Sequence, residues 1–146
     1  MKWLADTNLL LRSVQAAHPM YADVSRAVDI LFDRGDDIHI IGQNLIEFWA
    51  VATRPITENG LGFTITGAAV ELTKLKATFT LLPDTADVLL LWEELVVRYE
   101  VRGKQSHDAR LVAAMNAHSL THLLTFDQSD FKRFSEITVV NPRNIT

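Results

Sequence analysis

No cysteine occurs in this 146-residue chain, which excludes disulfides and thiolate metal sites. No apolar run reaches the ~20 residues that a membrane-spanning helix needs. Asp6 interrupts the N-terminal apolar stretch too early for a signal peptide, so a cytoplasmic protein that does not enter membranes is expected. Excess positive charge is also missing: the formal net charge is −4. Attraction of the whole surface to nucleic acid is therefore excluded, and any polyanion must be held by a local basic patch or through cations. Internal repeats, low-complexity segments and linkers are absent. So are Gly-x-Gly-x-x-Gly, Walker A and Gly-x-Ser-x-Gly motifs.

What remains is a globular composition, 48% apolar with a mean hydropathy of +0.09. It fits one domain, residues 1–146, able to bury a single core. Short apolar runs alternate with helical patterns. Strands are expected at Trp3–Ala5, Ile38–Ile41, Phe79–Leu82, Leu120–Thr125 and Ile137–Val140. Helices are expected after Asp6, over Met20–Phe32 and Gly42–Thr53, from a Thr66 cap to Lys76, from an Asp84 cap, and from a Ser106 cap. The helix holding Val88, Leu89, Leu91, Trp92, Leu95 and Val96 is expected to be largely buried. Such alternation implies parallel strands with right-handed crossovers. The expected fold is α/β: a three-layer α/β/α sandwich around a parallel sheet of about five strands.

Four acidic residues stand at the edges of these elements. Asp6 ends the first strand and Asp127 follows the fourth. Glu47 is the one acid of an otherwise apolar helix, and Asp108 lies in the first turn of another. Taken singly, each has an ordinary explanation as a helix cap, a dipole partner or a solvated side chain. In an open parallel sheet, however, strand C-termini and helix N-termini share one edge, where ligands bind. Four carboxylates there repel one another and raise their pKa values. A hard divalent cation resolves the repulsion, since Mg²⁺ takes oxygen ligands from one or two carboxylates plus water and phosphate. The chemistry such a set suits is phosphodiester hydrolysis. Asn8, a poor helix former in a first turn, is placed to support a carboxylate or a water. Arg54, Arg102, Lys104 and Arg110, with Arg98, Arg12, Lys132 and Arg133, flank the acids and could meet a phosphate backbone. The histidines form no metal pattern: His118 and His122 are separated by a helix break, and His39 reads as a packed strand residue.

Asp6-Thr7-Asn8 after an N-terminal strand resembles the opening motif of PIN-domain nucleases. Glu47, His107-Asp108-Ala109-Arg110-Leu111 and Thr125-Phe126-Asp127-Gln128-Ser129-Asp130-Phe131 are similar to the later acidic motifs of that family. The resemblance covers essentially the whole chain and is greatest to the VapC-type toxins of toxin–antitoxin pairs, as in Ala52-Thr53-Arg54-Pro55 and Asn59-Gly60-Leu61-Gly62. It implies a Mg²⁺- or Mn²⁺-dependent endoribonuclease. Asp6, Glu47, Asp108 and Asp127 would coordinate metal, with Thr7, Asn8 and Thr125 orienting those carboxylates or waters. It also implies a homodimer, for which the loop around Leu61 and Phe63 is a candidate surface, and an antitoxin that blocks the site. Asp130 matches a family position whose role can be structural. Two other readings stay open. One is a PIN-like domain that binds RNA or a partner without cleaving it. The other is a phosphatase with Asp6 as nucleophile, for which the usual second aspartate is replaced by Asn8.

Overall fold

Alternate residues of each strand face opposite cores in the computed structural model, which describes residues 1–146. Trp3 and Ala5 point to one core and Leu4 to the other. Ile38 and Ile40 join Trp3, whereas Ile41 joins Leu4. This period of two is what a sheet covered on both faces requires.

The strands are β1 (Lys2–Ala5), β2 (Asp37–Ile41), β3 (Thr80–Leu82), β4 (His122–Leu124) and β5 (Thr138–Val140). The helices are α1 (Thr7–Ser13), α2 (Tyr21–Asp33), α3 (Gly42–Thr53), α4 (Ile65–Thr78), α5 (Val88–Arg98), α6 (Gln105–Ala117) and the single turn α7 (Gln128–Phe131). All pairings are parallel, in the order β3-β2-β1-β4-β5. Helices α1 to α4 cover one face around Leu9, Leu10, Leu31 and Phe48. Helices α5 to α7 cover the other around Leu111, Met115, Leu123 and Phe131. The expected three-layer α/β/α sandwich with five parallel strands is what forms.

The chain runs outward from β1 through β2 to β3, then returns past β1 to β4. Connections therefore change face between β1 and β4, and a crevice opens there at the carboxyl ends of the strands.

Several helix starts differ from those expected. Thr64, not Thr66, caps α4, accepting from the Gly67 N–H at 3.0 Å. Helix α5 begins at Val88, not at Asp84, and α6 at Gln105, with neither start closed by a capping side chain. Propensity favours caps at Asp84 and Ser106, but Pro83 and the turn after it hold Asp84 in the connection. Helix α5 is also far less buried than its composition implies. Leu89, Leu90 and Val97 are 70%, 58% and 74% exposed, because only one side of the helix meets α6 and the sheet. Leu61 and Phe63 are half-buried, packing part of their side chains onto the core beside α3. Their loop bends back so that the Leu61, Phe63 and Gly62 N–H groups reach the carbonyls of Val51, Ala52 and Arg54 at 2.8 to 3.0 Å, satisfying the free end of α3. Gly60 makes this return possible, since a Cβ there would lie 1.9 Å from the Arg54 carbonyl oxygen.

Candidate active site

Asp6 stands at the end of β1, where the β1–β4 pairing continues through its N–H to the Leu124 carbonyl at 3.0 Å. Extended backbone at Asp6 lets its Oδ1 accept from the Thr7 N–H at 2.7 Å, so it does cap α1. Its Oδ2 accepts from the Thr125 hydroxyl at 2.6 Å. The carboxylate is thus buried and held from both sides, by its own helix and by the end of β4.

The next two residues each hold a different acid. Thr7 donates its hydroxyl to Glu47 Oε2 at 3.1 Å. Asn8 donates Nδ2 to Asp127 Oδ2 at 2.9 Å and reaches Thr125 Oγ1 at 3.2 Å. Thr125 is fully buried, and its hydroxyl uses its whole capacity. It donates to Asp6 and accepts from Asn8 and from the Asp127 N–H, the latter at 3.0 Å. The strand end after Asp6 and the strand end before Asp127 are therefore tied through one oxygen.

Two residues that sequence reasoning missed complete the frame. Gln43, buried in the first turn of α3, donates Nε2 to Glu47 Oε1 at 2.7 Å and to the His107 carbonyl at 2.8 Å. Asn44, fully buried, donates to Thr7 Oγ1 at 3.3 Å and accepts from the Ile41 N–H at 2.9 Å. A signal was there: a polar pair directly after a buried strand, in the same strand-to-helix slot that Asp6 to Asn8 occupy.

Asp6, Thr7, Asn8, Glu47, Asp127, Arg54 and Lys104 line one cleft of about 560 Å³. Asp108, half-buried in the first turn of α6, feels the same charges. Burial first, then the charges of Asp6, Asp130, Glu47 and Asp127, push its pKa up to about 7. Asp6 is raised to about 6. Burial is the main cause and the charges of Glu47 and Asp127 add to it, against the hydrogen bonds from Thr125 and Thr7. Asp130, in the turn α7, is thus one of the charges acting on Asp108.

The flanking bases divide. Arg54 and Lys104 face the cleft. Arg110 does not line it: it donates to Gln43 Oε1 at 2.9 Å and pairs with Asp84 at 3.3 Å. Arg102 is exposed outside the cleft lining. Arg98 pairs with Glu136 at 2.8 Å, Arg133 bonds Gln105 at 2.6 Å, and Arg12 bonds Gln15 at 2.7 Å. Lys132 is exposed. Of the histidines, His39 bonds the Trp3 carbonyl and His118 the Pro83 carbonyl.

No three acids close on one point as a ready cage. The donor set is nevertheless that of a hard cation: oxygen only, with two pKa values raised by burial and by the neighbouring acids, and open to water. A cation that keeps several waters needs only one or two direct carboxylates, so these residues fit Mg²⁺ or Mn²⁺.

Comparison with known proteins gives a family and a fold. The family model described as "PIN domain" matches residues 4–137. No curated protein matches the chain. Among solved structures, the chain is similar to VapBC2 from Rickettsia felis, bound to a DNA fragment from its promoter. The TM-score is 0.72 at 18% identity, covering 97% of this chain and 98% of that one. It is similar to FitAcB from Neisseria gonorrhoeae, with TM-score 0.70 at 18% identity over 97% and 99%. It is also similar to VapC20 from Mycobacterium tuberculosis, described as a sarcin-ricin loop cleaving toxin. There the TM-score is 0.65 at 18% identity over 88% and 92%. At these identities the likeness is one of fold.

Proposed function

This chain belongs to the PIN domain family, and on that footing we propose that it is a divalent-cation-dependent endoribonuclease, the toxin of a toxin–antitoxin pair. The observation that carries this reading is the anchoring of three acids by Thr7, Asn8 and Thr125. Asp6 is fixed by its own cap and by Thr125, Glu47 by Thr7, and Asp127 by Asn8. Burial and the neighbouring acids raise the pKa values of Asp6 and Asp108, a cost that a cation relieves.

Asp6, Glu47, Asp108 and Asp127 would hold Mg²⁺ or Mn²⁺, which when bound polarises a phosphoryl oxygen and lowers the pKa of water. Around it, the chain supplies fixed geometry. Thr125 and the Thr7 N–H keep Asp6 from rotating. Gln43 and Thr7 each donate to one oxygen of Glu47, which sets the plane of its carboxylate. Arg54 and Lys104 line the cleft with the acids, so RNA phosphates would be held locally although the chain as a whole is anionic. The phosphatase reading needs a second aspartate at position 8, and the Asn8 that stands there is an amide donating to Asp127 and Thr125. An antitoxin covering this cleft, a homodimer and a cytoplasmic location belong to the same proposal. No helix of the chain is long and apolar enough to cross a membrane.

The decisive experiment is RNA cleavage by purified protein with Mg²⁺ or Mn²⁺, in excess EDTA, and in Asp6→Asn and Asp108→Asn. Cleavage only with the cation, and none in either folded variant, is expected. Equal cleavage in EDTA overturns the cation mechanism. Full-strength RNA binding without cleavage of any RNA under any condition would favour the non-catalytic reading.

A further inference from the structure

A second cavity, of about 370 Å³, opens beside the acidic cleft between the β3–α5 connection and the start of α6. The first turn of α6 divides the two: Lys104 lines the cleft, whereas Ser106 and His107 line the cavity. They are also joined through Gln43, which holds Glu47 with its amide NH₂ and receives Arg110 on its amide oxygen.

The walls are chemically unlike one another. Trp92 spends its indole N–H on the Ser106 carbonyl at 2.8 Å, so what it offers the cavity is a fixed, apolar aromatic surface. Leu89 continues that surface and is 70% exposed. The same cavity is lined by the Arg110 guanidinium and the Asp84 carboxylate, which pair at 3.3 Å. The pair cancels in charge but leaves further N–H donors and carboxylate lone pairs side by side. The His107 ring makes no hydrogen bond within the protein and is exposed at the mouth. A charge-balanced polar pair and an aromatic wall in one cavity do not select a phosphate or a charged side chain. They match a flat, neutral ring with donors and acceptors along one edge.

We propose that this cavity is a nucleobase subsite, taking one unstacked base of a single-stranded RNA whose backbone lies in the acidic cleft. The base stacks against Trp92 and Leu89 while Arg110 and Asp84 meet its polar edge. The proposal rests on the ribonuclease reading for the identity of its ligand, but the cavity itself can be tested without cleavage.

The test uses the full-length, metal-free protein and NMR titration with the four ribonucleoside 5′-monophosphates, with inorganic phosphate as control. At least one nucleotide should move the Trp92 indole and the Thr85 and Leu89 amides saturably below about 10 mM, a weak but usable affinity. Phosphate alone should not. Ala86→Trp, on an exposed turn of the cavity wall, should abolish those shifts, and Thr85→Trp provides a second filled cavity should the first misfold. With an RNA substrate, filling the cavity should raise KM about tenfold, the order expected for loss of one base stack, and change which bonds are cut. If no nucleotide moves these resonances, or if filled variants bind unchanged, the subsite is wrong. If wild type cleaves RNA and the filled variants cut the same bonds with the same KM, the subsite fails while the ribonuclease reading stands. If nucleotides bind in the cavity and the wild type cleaves no RNA, the ribonuclease reading fails and the subsite stands.

Discussion

Asn8 donates from Nδ2 to Asp127 Oδ2 at 2.9 Å, across 119 residues of sequence. The same nitrogen reaches the Thr125 hydroxyl, which in turn holds Asp6. Asn8 is therefore the residue through which the two strand-end aspartates share one support. Replacing it with Ala frees Asp127 without unfolding α1, because Asn8 is only partly buried and its helix is anchored by Leu9, Leu10 and Leu11. Loss of a residue that orients a metal carboxylate costs about 10–100-fold in metal affinity or activity. Asn8→Ala should weaken Mn²⁺ binding by that order in calorimetry, with circular dichroism unchanged. Unaltered Mn²⁺ affinity would show that Asp127 does not depend on Asn8.

Stability without metal should fall as pH rises. Asp6 and Asp108 have folded pKa values of about 6 and about 7, against 3.8 for the free side chain. Between those limits the folded state binds more protons than the unfolded state, so raising pH favours unfolding. The loss begins above pH 4 and is complete a little above pH 7. Urea midpoints of metal-free protein should drop between pH 5 and pH 8, and millimolar Mg²⁺ should restore much of the difference at pH 8. A midpoint that rises over this range contradicts the raised pKa values of Asp6 and Asp108.

Gly60→Ala should disturb the site through Arg54. The added Cβ would lie 1.9 Å from the Arg54 carbonyl oxygen and 2.4 Å from its Cβ, so the return loop must leave the end of α3. Overpacking of this kind costs about 1–3 kcal/mol, or roughly 3–10 °C in Tm for a chain of this size. Gly42→Ala is the control, since nothing lies within 4 Å of its Cβ position and its φ is not positive. It should be neutral or slightly stabilising. Equal thermal melts for the two variants would show that the loop does not need Gly60.

Arg54 and Lys104 should act as separate phosphate contacts. For single-stranded nucleic acid, log K falls with log salt by about 0.7 per phosphate neutralised. Arg54→Ala and Lys104→Ala should each reduce that slope by about 0.7 in RNA binding, measured in Ca²⁺ to hold back cleavage. Arg98→Ala, whose partner is Glu136, should leave the slope unchanged. Identical slopes in all three variants would place the RNA elsewhere.

The sequence by itself determined the layers and their order. Periods of two and of 3.6 state which face of an element is apolar, and five short apolar runs separated by helical patterns admit few arrangements other than a parallel sheet between helices. Asp6 and Asp127 were legible for the same reason, because each follows a buried strand and strand ends share an edge. Patterning does not state which side of a wholly apolar helix finds a partner, so the exposure of Leu89, Leu90 and Val97 was decided by how α5 lies on α6. Local propensity placed helix caps at Thr66, Asp84 and Ser106, but the connections leading into α4, α5 and α6 set the starts elsewhere. The hydrogen bonds that tie the acids to one another's strands and helices could only come from the tertiary structure. Thr7 meets Glu47 across 40 residues and Asn8 meets Asp127 across 119. Gln43 turns toward Glu47 because Arg110, 67 residues away, occupies its amide oxygen. Spacing along a chain places a carboxylate at an edge, whereas the direction in which it points depends on donors brought to it by other strands.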